Sequence, residues 1–225
     1  MRLKSSIRHV LRRIVYDRRH ARYHFIHIPK NAGEAVRDAL FLHRDVSLSS
    51  PMHQRYVDIA DQVGHDLKYF AIVRNPWSRT ASRFHFGRQN AARWPADDPR
   101  RQFISNATFA DFVRQQKILP IPEHPGKPWL GPLSSWFNQL EWIRDERGIV
   151  ACDCLRMETL NDDLPDYLGR PIKLQQRNVT RTRYDYRSMY TDELADIIST
   201  LFREDIEYFG FSFDGMATRN VFVKK

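Results

Sequence analysis

Lys68-Tyr-Phe-Ala-Ile-Val73, followed at once by Arg74-Asn75-Pro76-Trp77-Ser78-Arg79, decides the fold. Six almost continuously apolar residues suit a strand buried on both faces, the environment of a central strand in a parallel sheet. Asn75 has the side chain of an N-cap and Pro76 the fixed φ of a first helical position, so a helix must start there. Trp77, Ala81 and Phe84 supply its apolar face. Strand, cap and helix within a dozen residues make a βα unit. In sheets of such units ligands bind beyond the carboxyl ends of the strands.

A second unit of this kind lies upstream. Residues 23–29, Tyr-His-Phe-Ile-His-Ile-Pro, read as a strand. The short loop Lys30-Asn31-Ala32-Gly33 follows, and then a helix with Ala35, Val36, Ala39 and Leu40 on one face. A loop of small residues ahead of a helix leaves backbone N–H groups for an anion, and Lys30 adds a full positive charge, as a phosphate or sulfate requires. The lysine precedes the loop, so this is not the GxxxxGK[ST] nucleotide loop. An ordinary tight turn is the alternative reading of this stretch taken alone. At the other junction, Arg74 at the strand end and Ser82 two turns into the helix make a clamp for phosphate oxygens; the alternative there is an arginine paired with a local carboxylate.

Further along, residues 87–107 and 118–133 read as irregular, because of their prolines. Thr108-Phe-Ala-Asp111 opens a short helix with a capping box. Residues 133–144 read as helix and 148–157 as strand. Asn161–Leu168 reads as a short helix, and a last long helix runs from Thr191 to Phe209 until Gly210 stops it. Strands alternating with helices argue for an α/β fold with a mainly parallel central sheet flanked by helices. Cys152 and Cys154, two apart on a strand, face the same side; they read as small buried residues and not as a mutual disulfide or a metal site.

The chain has 225 residues, 42% of them hydrophobic, and a formal charge of +9. That length fits a single domain with a modest appendage. Residues 1–22 hold eight basic side chains against Asp17 alone, whereas the other 203 residues carry 28 basic and 26 acidic groups. The body is therefore close to neutral, and the sequence pI of about 9.8 is no sign of a nucleic-acid binder. Within the arm Leu3, Ile7, Val10, Leu11 and Ile14 fall at helical spacing, giving a basic amphipathic helix. Either it docks on its own domain with the basic face in water, or it meets an anionic partner such as a membrane surface. No apolar run reaches the roughly 18 residues of a membrane span, and no secretory signal stands out. Two cysteines exclude a disulfide scaffold, so the expected compartment is the cytoplasm, with a membrane-peripheral position if the arm binds lipid.

Taken together, the two junctions resemble the PAPS-dependent sulfotransferases, in particular the carbohydrate-type "family 2" group and its bacterial members. Phe25-Ile26-His27-Ile28-Pro29-Lys30-Asn31-Ala32-Gly33 is similar to that family's loop for the donor's 5′-phosphosulfate. Phe70–Arg79 with Ser82 is similar to its grip on the 3′-phosphate. His53, Leu155–Leu160 and Asp205–Phe213 are further echoes, so the likeness spans about residues 23–213. It implies a P-loop-like three-layer fold, one sulfotransferase-like domain over 23–225, and transfer of a sulfuryl group from PAPS to a hydroxyl or amine of a glycan, glycolipid or similar acceptor, releasing PAP. It implies donor contacts from Lys30, Asn31, Ala32, Gly33, Glu34, Ala35, Arg74 and Ser82, and catalysis by Lys30 and His53, without a metal. His53 is the expected general base; His65, Asp38 and Glu34 are the alternatives. His27 is expected to pack under the site. The family usually has Thr or Ser where Glu34 stands. An ionised carboxylate there repels the donor unless it turns away to cap its helix, so a non-catalytic module of the same fold, binding an anionic glycan or lipid, is the competing expectation. An ATP-dependent kinase is disfavoured by the missing Mg²⁺-ligand motif. For the acceptor, Arg88, Arg93, Trp94, Arg100, Arg101, Lys127 and Trp129 offer the aromatic and cationic groups that suit an acidic sugar.

Overall fold

The computed structural model describes residues 20–49, 52–93, 95–115, 137–175 and 185–224. These form two compact units. The first comprises residues up to Ile72, Leu140–Arg177 and Phe222–Lys225; the second comprises Val73–Gln139 and Asn178–Val221. Apart from residues 20–22, the basic arm lies outside the described residues.

The first unit holds a four-stranded sheet: β1 (Tyr23–Ile26), β2 (Val46–Leu48), β3 (Lys68–Val73) and β4 (Asp153–Arg156), in the order β2-β1-β3-β4. β1 pairs parallel with both neighbours, Tyr23 facing Val46 on one side and Lys68 on the other. Parallel neighbours need crossovers, and helices α1 (Gly33–Leu40) and α2 (Tyr56–Val63) provide them. This is the α/β architecture with a mainly parallel sheet expected from the strand-helix alternation. Helix α6, at Leu160–Leu168, follows β4.

One face of the sheet buries Phe25, Phe70, Ile72 and Leu155 against Val36 and Leu40 of α1 and Leu160, Leu164 and Leu168 of α6. The four-residue spacing on each helix makes one apolar ridge, and each such side chain contributes roughly 1.5–3 kcal/mol on burial. Cys152 and Cys154 are both buried and both free thiols.

The second unit is helical: α3 (Pro76–Asn90), α4 (Pro99–Asn106), α5 (Phe109–Gln115), α7 (Asp192–Leu201) and α8 (Arg203–Phe209). Its apolar cluster joins Phe84, Ala91, Ile104 and Phe112.

Several elements depart from expectation. Residues 87–107 are largely helical, not irregular: α3 runs on to Asn90, a 3₁₀ turn covers Ala91–Arg93, and Pro99 opens α4, where a missing N–H costs nothing. Of the helix expected over 133–144, the described part from residue 137 shows one 3₁₀ turn, Gln139–Trp142. Gln139 explains it, because its backbone N–H goes to the Asp205 carboxylate and not to a preceding turn, at 2.7 Å. The strand expected over 148–157 shrinks to Asp153–Arg156; ahead of it Asp145 Oδ1 accepts from the N–H groups of Arg147 and Ile149, closing a turn. β1 likewise ends at Ile26. The long C-terminal helix breaks at Phe202 (φ −109°, ψ 31°), whose ring is buried beneath the Arg79 guanidinium, 5.9 Å away. The break creates a new helix start, and it carries Asp205 into the interior. Gly210, at φ 66°, then ends α8 with its N–H on Ile206 O.

Candidate active site

The loop after β1 is held in a conformation that its residues do not choose freely. Lys30 and Ala32 have φ of 71° and 58°. Left-handed backbone costs a non-glycine residue roughly 1–2 kcal/mol, so the surroundings must fix it. Asn31 does so: it is buried, and its Nδ2 donates to Ile72 O at 2.7 Å. That bond pins the loop to the carboxyl end of β3. Gly33 is needed for close approach, since a Cβ there would lie 1.8 Å from Cδ2 of His27. Ala32 gives α1 no side-chain cap, and the first turn closes with Val36 N–H on Ala32 O at 3.2 Å. The amides of Gly33, Glu34 and Ala35 therefore have no acceptor within the helix and sit at its positive end. Lys30 is half-buried at the head of this anion-seeking element.

Glu34 is exposed in the first turn of α1. Negative charge is favoured at that end of a helix. Arg37, one turn on, donates from Nη1 to Ser49 O at 2.8 Å. His53 packs in the same neighbourhood: its Nδ1 lies 3.1 Å from His27 O, and its ring is 4.4 Å from the His27 ring and 6.3 Å from that of Trp142. Burial lowers the His53 pKa, the bond to His27 O opposes this, Arg37 and Lys30 lower it further, and Glu34 raises it. Burial also holds His27 well below 6.5, with the charges of His53, Arg37 and Lys30 adding to the effect. Both rings are therefore neutral near pH 7. His65 is elsewhere: exposed beyond α2, ahead of the amino end of β3, its Nε2 lies 2.9 Å from Asp61. Asp38 is exposed on α1.

In the second unit, Arg74 leaves β3 with its Nε and Nη2 on Ser78 Oγ, at 3.0 and 2.8 Å. Ser82 follows one turn beyond Ser78 on the same face of α3, half-buried. The peptide of Arg74 is gripped from both sides by one side chain: its N–H donates to Gln139 Oε1 (2.9 Å), and Gln139 Nε2 donates to its carbonyl (3.0 Å). Gln139 in turn donates from N and Nε2 to Asp205 Oδ2, at 2.7 and 3.2 Å. Arg79 is buried nearby, its Nη1 donating to Phe137 O at 2.9 Å. Burial pushes its pKa down to about 10, against the pull of Asp205, and it stays charged at neutral pH.

Lys30, Asn31, Ala32, Gly33, Glu34, Ala35 and His53 are thus gathered at one end of the sheet in the first unit; in the second, Arg74 precedes α3 and bonds Ser78, with Ser82 one turn further along that helix. Sequence reasoning passed over Ser78, Gln139 and Arg37. Ser78 had a signal, the four-residue spacing from Arg74; Gln139 had none, since a lone glutamine 65 residues away marks nothing. Among the acceptor candidates, Arg88 is used structurally: its Nη1 donates to the carbonyls of Ile104, Ser105 and Ala107 at the end of α4. Trp94, Lys127 and Trp129, and the Arg100 side chain, lie outside the described residues.

Among the described residues, no group of three or more His, Cys, Asp or Glu is arranged to hold a metal, and no helix is long and apolar enough to cross a membrane. No family model matches the chain, and no curated protein does. Among solved structures the chain is similar to mouse sulfotransferase SULT7A1 complexed with PAP, at 16% identity, with 84% of each chain covered and a TM-score of 0.46.

Proposed function

We propose that the protein is a PAPS-dependent sulfotransferase. The observation that carries this reading is the loop from His27 to Gly33: an enforced left-handed turn, a lysine at its head and the uncapped start of α1, at the carboxyl end of a parallel strand. Such an arrangement suits an oxyanion. The resemblance of the loop and of the Arg74 junction to the family's donor-binding segments supplies the identity of the anion.

In this reading Lys30 and the amides of Gly33, Glu34 and Ala35 take the 5′-phosphosulfate, and Arg74 with Ser82 takes the 3′-phosphate. His53 accepts the proton of the acceptor hydroxyl or amine. A bond forms from the acceptor atom to sulfur, the bond from sulfur to the phosphate oxygen breaks, and that oxygen keeps the electron pair. Lys30 and the first-turn amides oppose the charge that grows there. The depressed pKa of His53 keeps the base unprotonated at neutral pH and lets it return its proton to solvent. The acceptor is a hydroxylated, carbohydrate-containing molecule, and the basic arm 1–22 either docks on its own domain or meets an anionic membrane surface from the cytoplasmic side. Nucleic acid is not a partner.

Thermal stabilisation by PAP tests the reading, with AMP, ATP–Mg²⁺ and APS as controls. A ligand at a hundredfold excess over its Kd stabilises by about 2.7 kcal/mol. A shift specific to PAP that is lost in Arg74→Ala is the expected result; no shift refutes the reading, and a shift retained in Arg74→Ala refutes the assignment of the 3′-phosphate. Glu34, exposed in the loop's helix, favours a second reading, a module of the same fold without transfer activity. PAPS turnover with any acceptor eliminates it.

A further inference from the structure

We infer that His27 selects the reactive nitrogen of His53. It holds that ring as the Nδ1–H tautomer and so leaves Nε2 as the atom that takes the acceptor's proton. This rests on the reading of His53 as the base and goes beyond it, naming the atom and the residue that positions it.

The His53 Nδ1 lies 3.1 Å from the carbonyl oxygen of His27. A carbonyl oxygen only accepts, so in the neutral ring the proton must be on Nδ1 and the lone pair on Nε2. A freely rotating histidine side chain favours the opposite tautomer, with the proton on Nε2, so the choice is imposed by the fold. Two rings prevent His53 from swinging away from that carbonyl. His27 lies at 4.4 Å with an interplanar angle of 54°, and Trp142 stands edge-on at 6.3 Å and 75°.

His27 is itself fixed. Its ring is buried, stacks on Phe25 at 5.9 Å and 18°, and covers Gly33 so closely that no Cβ fits between them. The same ring contact joins the base to the donor loop, because Gly33 is the first residue of α1. The charged groups facing His53 are Lys30, Arg37 and Glu34. Its Nδ1 faces the carbonyl of His27.

The mechanistic consequence concerns direction. With Nδ1 anchored to main chain at the end of β1, proton transfer runs only through Nε2, and the imidazolium that forms keeps its Nδ1–H bond unbroken. No reorientation of the ring is needed between turnovers.

The test reads the tautomer directly, without donor or acceptor. The full ¹⁵N-labelled chain is studied by long-range ¹H–¹⁵N correlation of the imidazoles near neutral pH, and His53 is assigned by the signals lost in His53→Gln. The expected result is a protonated Nδ1 and a bare Nε2 as the major form, the tautomer ratio shifted about fivefold or more from that of a free side chain, as one net hydrogen bond confers. A His53 ring protonated on Nε2, or averaging the two tautomers, overturns the inference. His27→Phe keeps the carbonyl and a stacked ring and should preserve the tautomer. His27→Ala keeps the carbonyl but removes the ring support and should give an averaged signal; an unchanged tautomer in a folded His27→Ala variant refutes the positioning role of the ring. The readout is separate from the PAP shift, so loss of PAP binding with the tautomer intact would sink the proposed function and leave the assignment of the nitrogen standing.

Discussion

Asn75 holds the start of α3 and the turn at 212–215 with the two ends of one amide. Its Oδ1 accepts from the N–H groups of Trp77 and Ser78, both at 3.1 Å. Its Nδ2 donates to the carbonyls of Ser212, Phe213 and Gly215, at 2.9, 3.3 and 2.8 Å. Asn75→Ala loses the cap, worth about 1 kcal/mol. It also loses the donor end, where two N–H groups serve three carbonyls, for about 2 kcal/mol more. The expected loss is therefore about 3 kcal/mol. Asn75→Asp separates the two ends. Aspartate is as good an N-cap as asparagine, but here it would turn a carboxylate oxygen on three carbonyl oxygens. It should therefore be destabilised at least as much as the alanine variant. Urea unfolding followed by both far-UV circular dichroism and tryptophan fluorescence reads the order, and a loss of this size moves the midpoint by about 1 M or more. An aspartate variant within about 0.5 kcal/mol of wild type would show that only the cap matters, and the bonding to 212–215 would then carry no energy.

Asp205→Ala should cost about 3–5 kcal/mol, because it strips Gln139 of its acceptor and leaves the buried Arg79 without its balancing carboxylate; a loss below about 1 kcal/mol in denaturant would refute that. His27 and His53 are neutral in the fold while an unfolded histidine protonates below 6.5. The unfolded chain thus binds more protons as pH falls, so stability drops as pH falls through 6.5 toward the lower folded values. In His27→Phe that slope should be flatter, and an identical slope would remove His27 from its cause. Asp45, bonded to Arg170 with one contact of 2.8 Å, titrates in a separate window: its lowered pKa contributes stability above the unfolded value of 3.8, lost as pH falls through the folded one. Asp45→Asn should cost about 1 kcal/mol at neutral pH and nothing once the carboxyl is protonated. Glu34→Gln removes a charge that raises His53, so the ring should titrate lower still by NMR and the PAP-induced shift should grow; unchanged values would mean that Glu34 is screened from both.

β3 and its junction were legible because they obey local rules: a doubly buried strand reads as a continuous apolar run, and Asn75-Pro76 announces a helix start whatever surrounds it. The capping box at Thr108 formed for the same reason, with Thr108 N and Asp111 N each served by the other's side chain. β2 and α2 were not foreseen. Three residues, Val46-Ser47-Leu48, are too short for a period to show. At the start of α2 the Asp58 carboxylate accepts from the backbone N–H, Nε and Nη2 of Arg55, with no Ser, Thr or Asn at the cap position to announce the helix. The break at Phe202 and the role of Gln139 are tertiary: each exists because a distant partner, Arg79 or Asp205, occupies the interior. At the site, the chemistry of the Lys30 loop could be read from small residues ahead of a helix. The left-handed turn at Lys30 and Ala32 could not, since neither residue type asks for it; Asn31 and the His27 ring impose it from outside.

The sheet of the first unit is completed out of order in time. Its outer strand, β4, receives the N–H of Phe222 on Cys154 O at 2.8 Å, the Phe222 ring lies 5.3 Å from that of Tyr167, and Lys224 pairs with Asp166 at 2.7 Å. A ribosome delivers these partners only after every residue of the second unit has been synthesised. Until then a nascent chain displays an open strand edge with its carbonyl unclaimed, the condition in which strands of neighbouring chains find one another. Yield should therefore respond to what happens to residues 222–224 more than to changes of equal size on the helical unit's surface. A tag fused there should be better tolerated behind a spacer that leaves Phe222 free to reach the edge.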